Sequence, residues 1–391
     1  MKRTPLYILL FVCTLAGIRC TEETNEPENI DYEEANYTSY WYYNYEALDT
    51  VDYAALGMES SASFNPFTVI ERGDTLFVAN AGGGSSLIVF DKKNNKPLKT
   101  VSTWTVAGAE KTFLSLIEAM AVSENRLYVS ERSNLIHVFT LPDMEYYSCI
   151  GTSKYDAAAS PVCNAQALVV KDGLIFARDK TGTISIYKES DVTPENYQKI
   201  KRYKQAGPGA GNSSNNDFAA HYMEADAEGH LMLTGYEAKS IRILDPSLID
   251  DDFVNGTNID IDDLTWALTF KPKTFAMTHD RLYATGDNNA ISIYDFGQKE
   301  WVKTIKSVKG FAFTKPERIY REDDETLWIS DISKRTLVKL KVYRGEIREY
   351  SRVNDRIVKV ESIMTRSGEE ATGGFYVDIR THEIVGEPEI E

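Results

Sequence analysis

The feature that most constrains this chain is a motif written six times. In "RLYATGDNNAISIYD", Arg281 to Asp295, β-formers alternate with small or polar residues on either side of a Gly/Asp/Asn turn. That is the pattern of two strands joined by a hairpin. The same design recurs as "TLFVANAGGGSSLIVFD" from Thr75, "RLYVSERSNLIHVFT" from Arg126 and "GLIFARDKTGTISIYK" from Gly173. Two more copies are "HLMLTGYEAKSIRILD" from His230 and "TLWISDISKRTLVKLK" from Thr326. With Leu76, Leu127, Leu174, Leu231, Leu282 and Leu327 as anchors, the copies lie roughly 45–57 residues apart, the period of propeller blades. An apolar run such as "EAMAVSEN" or "QALVVKDG" precedes each copy, and strand-like runs such as "YYSCIG" and "WVKTIK" trail several. Four short strands cannot bury both faces of a lone sheet, so the units must stack around an axis. The expected fold is all-β: a six-bladed β-propeller over residues 64–353, with short appended N- and C-terminal segments. A β-sandwich, the alternative, does not require one motif six times in register.

The repeat resembles that of NHL-type six-bladed propellers, whose blades read roughly V-D-x-x-G-x-L-Y-V-A-D. "ADAEGHLMLTG", Ala225 to Gly235, comes closest, while "SENRLYVSE" and "THDRLYATG" lack the turn glycine. The resemblance spans about Phe64 to Val353 and implies a scaffold fold; its motifs say little about activity.

The ends of the chain carry the address. Lys2 and Arg3 precede the apolar "PLYILLFVCTLAGI", which is short for a membrane span and reads as a signal peptide over residues 1–19. The following Cys20 and "TEETNEPENIDYEE" resemble a bacterial lipoprotein signal with the acidic export tag of Bacteroidetes surface lipoproteins. That resemblance implies lipidation at Cys20, an outer-membrane location and exposure at the cell surface, or otherwise the periplasm. Arg19 departs from the small residue that the motif asks for before the cysteine. A simple secretory signal with an incidental Cys20 is the alternative. Residues 20–36 are acidic and poor in apolar side chains, the composition of a disordered tether. Of the 4 cysteines, Cys149 and Cys163 fall in the folded part. An extracytoplasmic setting permits a disulfide between them; two buried thiols are the other reading.

Residues 37–63 open with "YTSYWYYNYEALDTVDY". Such a segment either packs on the propeller as a clasp or offers Tyr40, Trp41, Tyr42 and Tyr43 as a sugar-binding platform, flat apolar faces with polar tips. Residues 354–391 read as two strands joined by "TRSGEEAT". They form a hairpin on the rim or pair with the Tyr-rich segment to tie the ends together.

Chemistry in a propeller concentrates where the innermost strands enter the central channel. Counting back from the anchor leucines places Pro66, Glu118, Gln166, His221, Lys273 and Lys315 at that mouth. Sugar-lactone hydrolases of this architecture hold Ca²⁺ there with several oxygen ligands. A ring with one acid, one His and two Lys repels a cation, so no metal and no cofactor are expected. His221, Glu224 and Glu118 are the acid/base candidates, and a satisfied polar group at the channel wall is the competing role. Lys273 and Lys315 are candidate ligand contacts. The acidic loop with Asp260, Asp262 and Asp263 lacks the EF-hand spacing, and "AGGGSS" lies between strands rather than at a helix N-terminus. The loop "AGPGAGNSSNND" joins the third and fourth blades.

With 59 acidic against 43 basic residues the net charge is −16, which repels nucleic acid and anionic bilayers. The expected partners are a glycan or an envelope or surface protein, with membrane contact only through the lipid anchor. The chain is expected as a monomer or as a member of a heteromeric complex. The leading expectation is a surface-tethered binding or scaffold propeller that recognises a glycan, peptide or envelope protein. The alternative is an extracytoplasmic hydrolase or lyase acting at the channel mouth.

Overall fold

The computed structural model describes residues 40–94, 96–153, 164–179, 183–206, 220–225, 230–235, 241–244, 269–365 and 368–386. The side chains of Asp179, Ala206, Ala220, His221 and 242–244 lie outside that description. Two compact units emerge: Tyr43–Arg344 with Arg380–Ile384, and Gly345–Ile379 with the remaining flanks.

Five copies of the motif each occupy their own antiparallel sheet: four of these have four strands among the described residues, and that of the fourth copy has three. The strands of the sixth copy, Pro316–Asp323, Thr326–Asp331 and Thr336–Arg352, are antiparallel neighbours within a seven-stranded sheet. The first strands of the sheets are Pro66–Arg72, Ile117–Val122, Ala165–Lys171, Ala220–Ala225, Pro272–Met277 and Pro316–Asp323. Each contacts the next in order, and the sixth contacts the first, so they form a closed ring around a central channel.

Period-two alternation supplies the packing between blades. In Arg126–Glu131, Leu127 and Val129 pack towards the first blade, while Tyr128 packs towards the third. Six apolar clusters result, one for each interface around the ring. The closing interface sets Trp328 and Leu337 of the sixth blade against Phe64, Val69, Leu76 and Val78 of the first. The third copy aligns through Ile175 rather than Leu174. Ile175 faces the preceding blade, as Leu76, Leu127, Leu231, Leu282 and Leu327 do, whereas Leu174 faces the following one.

Hydroxyls staple neighbouring blades at one level. Thr234 donates to the Lys273 carbonyl at 3.1 Å, Thr285 to that of Glu317 at 3.0 Å and Ser330 to that of Phe67 at 3.2 Å. The last of these bonds joins the sixth blade to the first. One residue further on, a polar side chain gathers the backbone leading to the channel. Asn80 accepts from the N–H of Asn65, Glu131 from Leu114 and Ser115, and Asp331 from Thr314 and Lys315. In the fifth blade that position is Gly286, and Asp287 accepts from Lys271 instead. A Cβ on Gly286 would sit 2.5 Å from the Lys271 carbonyl oxygen and from the Phe270 ring, so the close approach there admits only glycine.

The Tyr-rich segment is a strand, Trp41–Val51, paired with Thr336–Arg352. Within the propeller unit Tyr43 and Tyr45 are buried in the cluster between the fifth and sixth blades. Arg281, fully buried, anchors them. Its guanidinium lies over the Tyr43 ring at 3.4 Å, donates to the Tyr45 hydroxyl at 2.6 Å and pairs with Glu383 and Asp295. Glu383 also pairs with Lys303 at 2.7 Å, and the Tyr43 N–H donates to the His382 carbonyl at 2.8 Å. Residues from both ends of the chain are therefore tied into this unit, the outcome that the sequence left open.

The smaller unit is an antiparallel arrangement of residues 345–352, Ile357–Thr365 and Glu370–Asp378. Tyr40 packs edge-on against Tyr350 with centroids 5.4 Å apart, and Tyr42 against Phe375 at 4.9 Å. A Cβ on Gly345 would lie 2.3 Å from the Tyr42 ring, so glycine is required for that contact.

Candidate functional site

Every innermost strand carries a bulge at the same place, after its first residue. The ladder skips from Pro66 to Thr68, Ile117 to Ala119, Ala165 to Ala167, Ala220 to Tyr222, Pro272 to Thr274 and Pro316 to Arg318. The extra residue in each case is left out of the pairing register. These six residues are Phe67, Glu118, Gln166, His221, Lys273 and Glu317. Four of the six expected mouth positions stand; Phe67 replaces Pro66 and Glu317 replaces Lys315. The Lys315 backbone N–H is held by Asp331 instead. Varying hairpin lengths, and a second bulge between Arg321 and Asp323, defeat a fixed count back from the leucine.

The charges at the mouth neutralise one another. Lys273 Nζ sits 2.7 Å from Glu317. Glu118 is buried, pairs with the half-exposed Arg132, and faces Arg318 Nη2 at 3.9 Å. The Arg318 guanidinium in turn lies 5.0 Å from the Phe67 ring centroid. Burial lowers the pKa of Arg318, opposed by Glu118 and Glu317.

Inside the mouth lies a cavity of about 160 Å³ lined by strands of five blades. Glu118, Gln166, Tyr222, Glu224, Arg318 and Tyr320 are its polar lining. The Glu224 carboxyl is hydrogen-bonded to the Tyr222 side chain, while its Oε2 is shielded from solvent without a hydrogen-bond partner. Burial pushes the pKa of Glu224 up to about 8 against the opposing charge of Arg321 and the Tyr222 bond. Burial likewise raises the Tyr222 phenol, with Glu224 adding to the effect. Glu118 and Glu224 thus share one cavity, as expected, but Glu118 is held by two arginines. The His221 side chain lies outside the described residues. Tyr222, Arg318 and Tyr320 were missed from the sequence, since an aromatic or Arg at strand spacing carries no sign of facing a channel.

The aromatic platform is not formed as expected. Tyr42 and Tyr43 are buried, and Tyr40 and Trp41 are half-buried, so the four do not present open ring faces. Tyr43 donates to Asp280 at 2.5 Å, a clasp contact. Cys149 is a free, buried thiol. Cys20, Cys163 and the acidic loop with Asp260, Asp262 and Asp263 lie outside the described residues. Among the described residues no group of three or more His, Cys, Asp or Glu is placed to hold a metal. No helix there is long and apolar enough to cross a membrane.

The propeller class that these strands define also emerges from known structures. A Bacteroides thetaiotaomicron VPI-5482 protein of unknown function is similar at TM-score 0.52 and 12% identity, covering 77% of this chain and 76% of its own. The Myceliophteria thermophila Cps50 (Swd1) propeller domain has a TM-score of 0.46 at 12% identity, covering 76% of this chain and 99% of its own. The RRP9 WD40 repeats give 0.49 at 10% identity, covering 76% and 97%. At such identities the first likeness speaks for the fold alone, and the other two add nothing about function. No family profile matches the sequence, and no curated protein matches it.

Proposed function

We propose that this protein is a binding or scaffold propeller of NHL type, lipid-anchored through Cys20 at the outer membrane and facing outward. It recognises a glycan, a peptide or an envelope protein across one face of the ring. The observation that carries this reading is the pairwise neutralisation at the mouth, Lys273 with Glu317 and Glu118 with Arg132 and Arg318. Charges consumed in this way stiffen a rim and leave no free base beside a nucleophile. The address draws on the leader and the acidic run after Cys20, which resemble those of surface lipoproteins.

A second reading, a hydrolase or lyase acting at the mouth, draws on Glu224. A carboxyl poised near pH 8 beside a phenol is the kind of group that general acid catalysis uses. To test the two, the full chain is cross-linked in its own cell envelope and probed on a glycan array, beside the Cys20→Ser form. Recovery of one partner or glycan without turnover supports the binding reading. Cleavage of an array sugar moves the assignment to the enzyme. The address fails if the Cys20→Ser protein stays in the membrane fraction.

A further inference from the structure

The cavity inside the mouth is lined in part by Glu118 and Gln166 of the rim. We propose that it binds a small, neutral, polyhydroxylated molecule, such as a free monosaccharide or cyclic polyol, held by Glu224 and Tyr222 with Tyr320 and Arg318 around it.

Size comes first. About 160 Å³ holds several waters or one small ligand. The wall is mixed, with two tyrosine rings among aliphatic side chains from the inner strands. Aromatic faces suit the C–H side of a ring whose edge carries hydroxyls.

Polar chemistry fixes the class. Glu224 Oε2 is shielded from water without a hydrogen-bond partner, while the carboxyl is already bonded to Tyr222. A buried carboxyl oxygen without a partner is costly, and a ligand hydroxyl removes that cost. Neutrality follows from the charge count around the cavity. Arg318 faces Glu118, which Arg132 also holds. Glu224 is mostly protonated at neutral pH, because burial raises its pKa to about 8. A protonated carboxyl both donates and accepts, as a hydroxyl does. The two lining charges, Arg318 and Glu118, offset one another, so a charged ligand would bring a charge left without a counterion and a neutral ligand fits best.

The test is saturation-transfer NMR and calorimetry on the full chain with D-glucose, D-galactose and myo-inositol, and with lactate and ethylamine as charged probes. At least one neutral probe is expected to bind and both charged probes to fail. Glu224→Gln, which keeps a donor and an acceptor, should hold affinity within about threefold, and Glu224→Leu should lose at least tenfold. Tyr320→Leu is a second variant should Glu224→Leu fail to fold. The proposal is overturned if no neutral probe binds, if lactate or ethylamine binds more tightly, or if a folded Glu224→Leu or Tyr320→Leu protein binds as the parent does. Partner capture and small-ligand binding are read by separate assays, so failure of the first does not decide the second.

Discussion

Arg281 and Glu383, 102 residues apart, form an ion pair that is almost wholly shielded from water. Around it the Tyr45 hydroxyl, Asp295, Lys303 and the face of Tyr43 fill the remaining positions. The pair joins the fifth blade to residues far along the chain.

Removing Glu383 leaves the buried Arg281 with Asp295 as its remaining carboxylate, one counterion short in a site closed to water. Glu383→Ala is expected to cost about 3–5 kcal/mol of unfolding free energy. Replacing both partners, Arg281→Met with Glu383→Leu, should recover a large part of that loss. Urea titration of the three variants checks this, and a double variant no better than Glu383→Ala alone would remove the pair from the account.

Tyr43 separates clasp from platform. Tyr43→Phe loses only the bond to Asp280 and should cost about 1–2 kcal/mol. Tyr43→Ala also empties part of the cluster between the fifth and sixth blades and should cost about 3–5 kcal/mol. Thermal unfolding of both forms reads the difference; equal melting points would mean that the ring is not packed.

Glu224 sets a pH dependence. Its folded pKa of about 8 lies above the ordinary carboxyl value of 4.5, so the native state holds the proton more tightly than the unfolded chain does. The group's contribution is fully present below the unfolded value, declines as pH rises, and is gone above the folded value. Stability should therefore fall between about pH 4.5 and 8, and Glu224→Gln should flatten that fall. Chemical denaturation at pH 5, 6.5 and 8 measures the slope in the two forms.

The Cys149 thiol should be inert in the folded protein. It is buried, and that burial pushes its pKa up to about 12, so almost no thiolate exists at neutral pH. Maleimide should fail to label Cys149 natively and succeed after denaturation without reductant. Absence of label in the denatured, unreduced protein would mean that Cys149 is bridged, with Cys163 as the expected partner.

The repeat is legible because five of the six anchor leucines face the preceding blade and the strand alternation carries the rest. Leu174 stands in for Ile175 in the sequence pattern, since two apolar neighbours at a strand start look alike until the packing separates them. The mouth was legible at Glu118, Gln166, His221 and Lys273. It was displaced by one residue at Phe67, although Phe67 lies as far before Leu76 as Glu118 does before Leu127, and by two at Glu317, where a second bulge between Arg321 and Asp323 lengthens the count. Of the cavity, Glu118, Gln166 and Glu224 could be read but Tyr222 and Arg318 could not, since these come together only when the fourth and sixth blades curve round the same axis. The clasp stayed open in the sequence because Arg281, Tyr45 and Glu383 carry no local sign of one another.

That clasp also gives synthesis a timetable. At about 5–20 residues per second, Glu383 leaves the ribosome roughly 5–20 seconds after Arg281. Throughout that interval the guanidinium lacks its main counterion, and the fifth and sixth blades cannot settle. A nascent chain whose six blades have all emerged therefore stays unsealed and pliable until the segment around Glu383 arrives, so a stop shortly before Glu383 should leave a chain that proteases still cut readily.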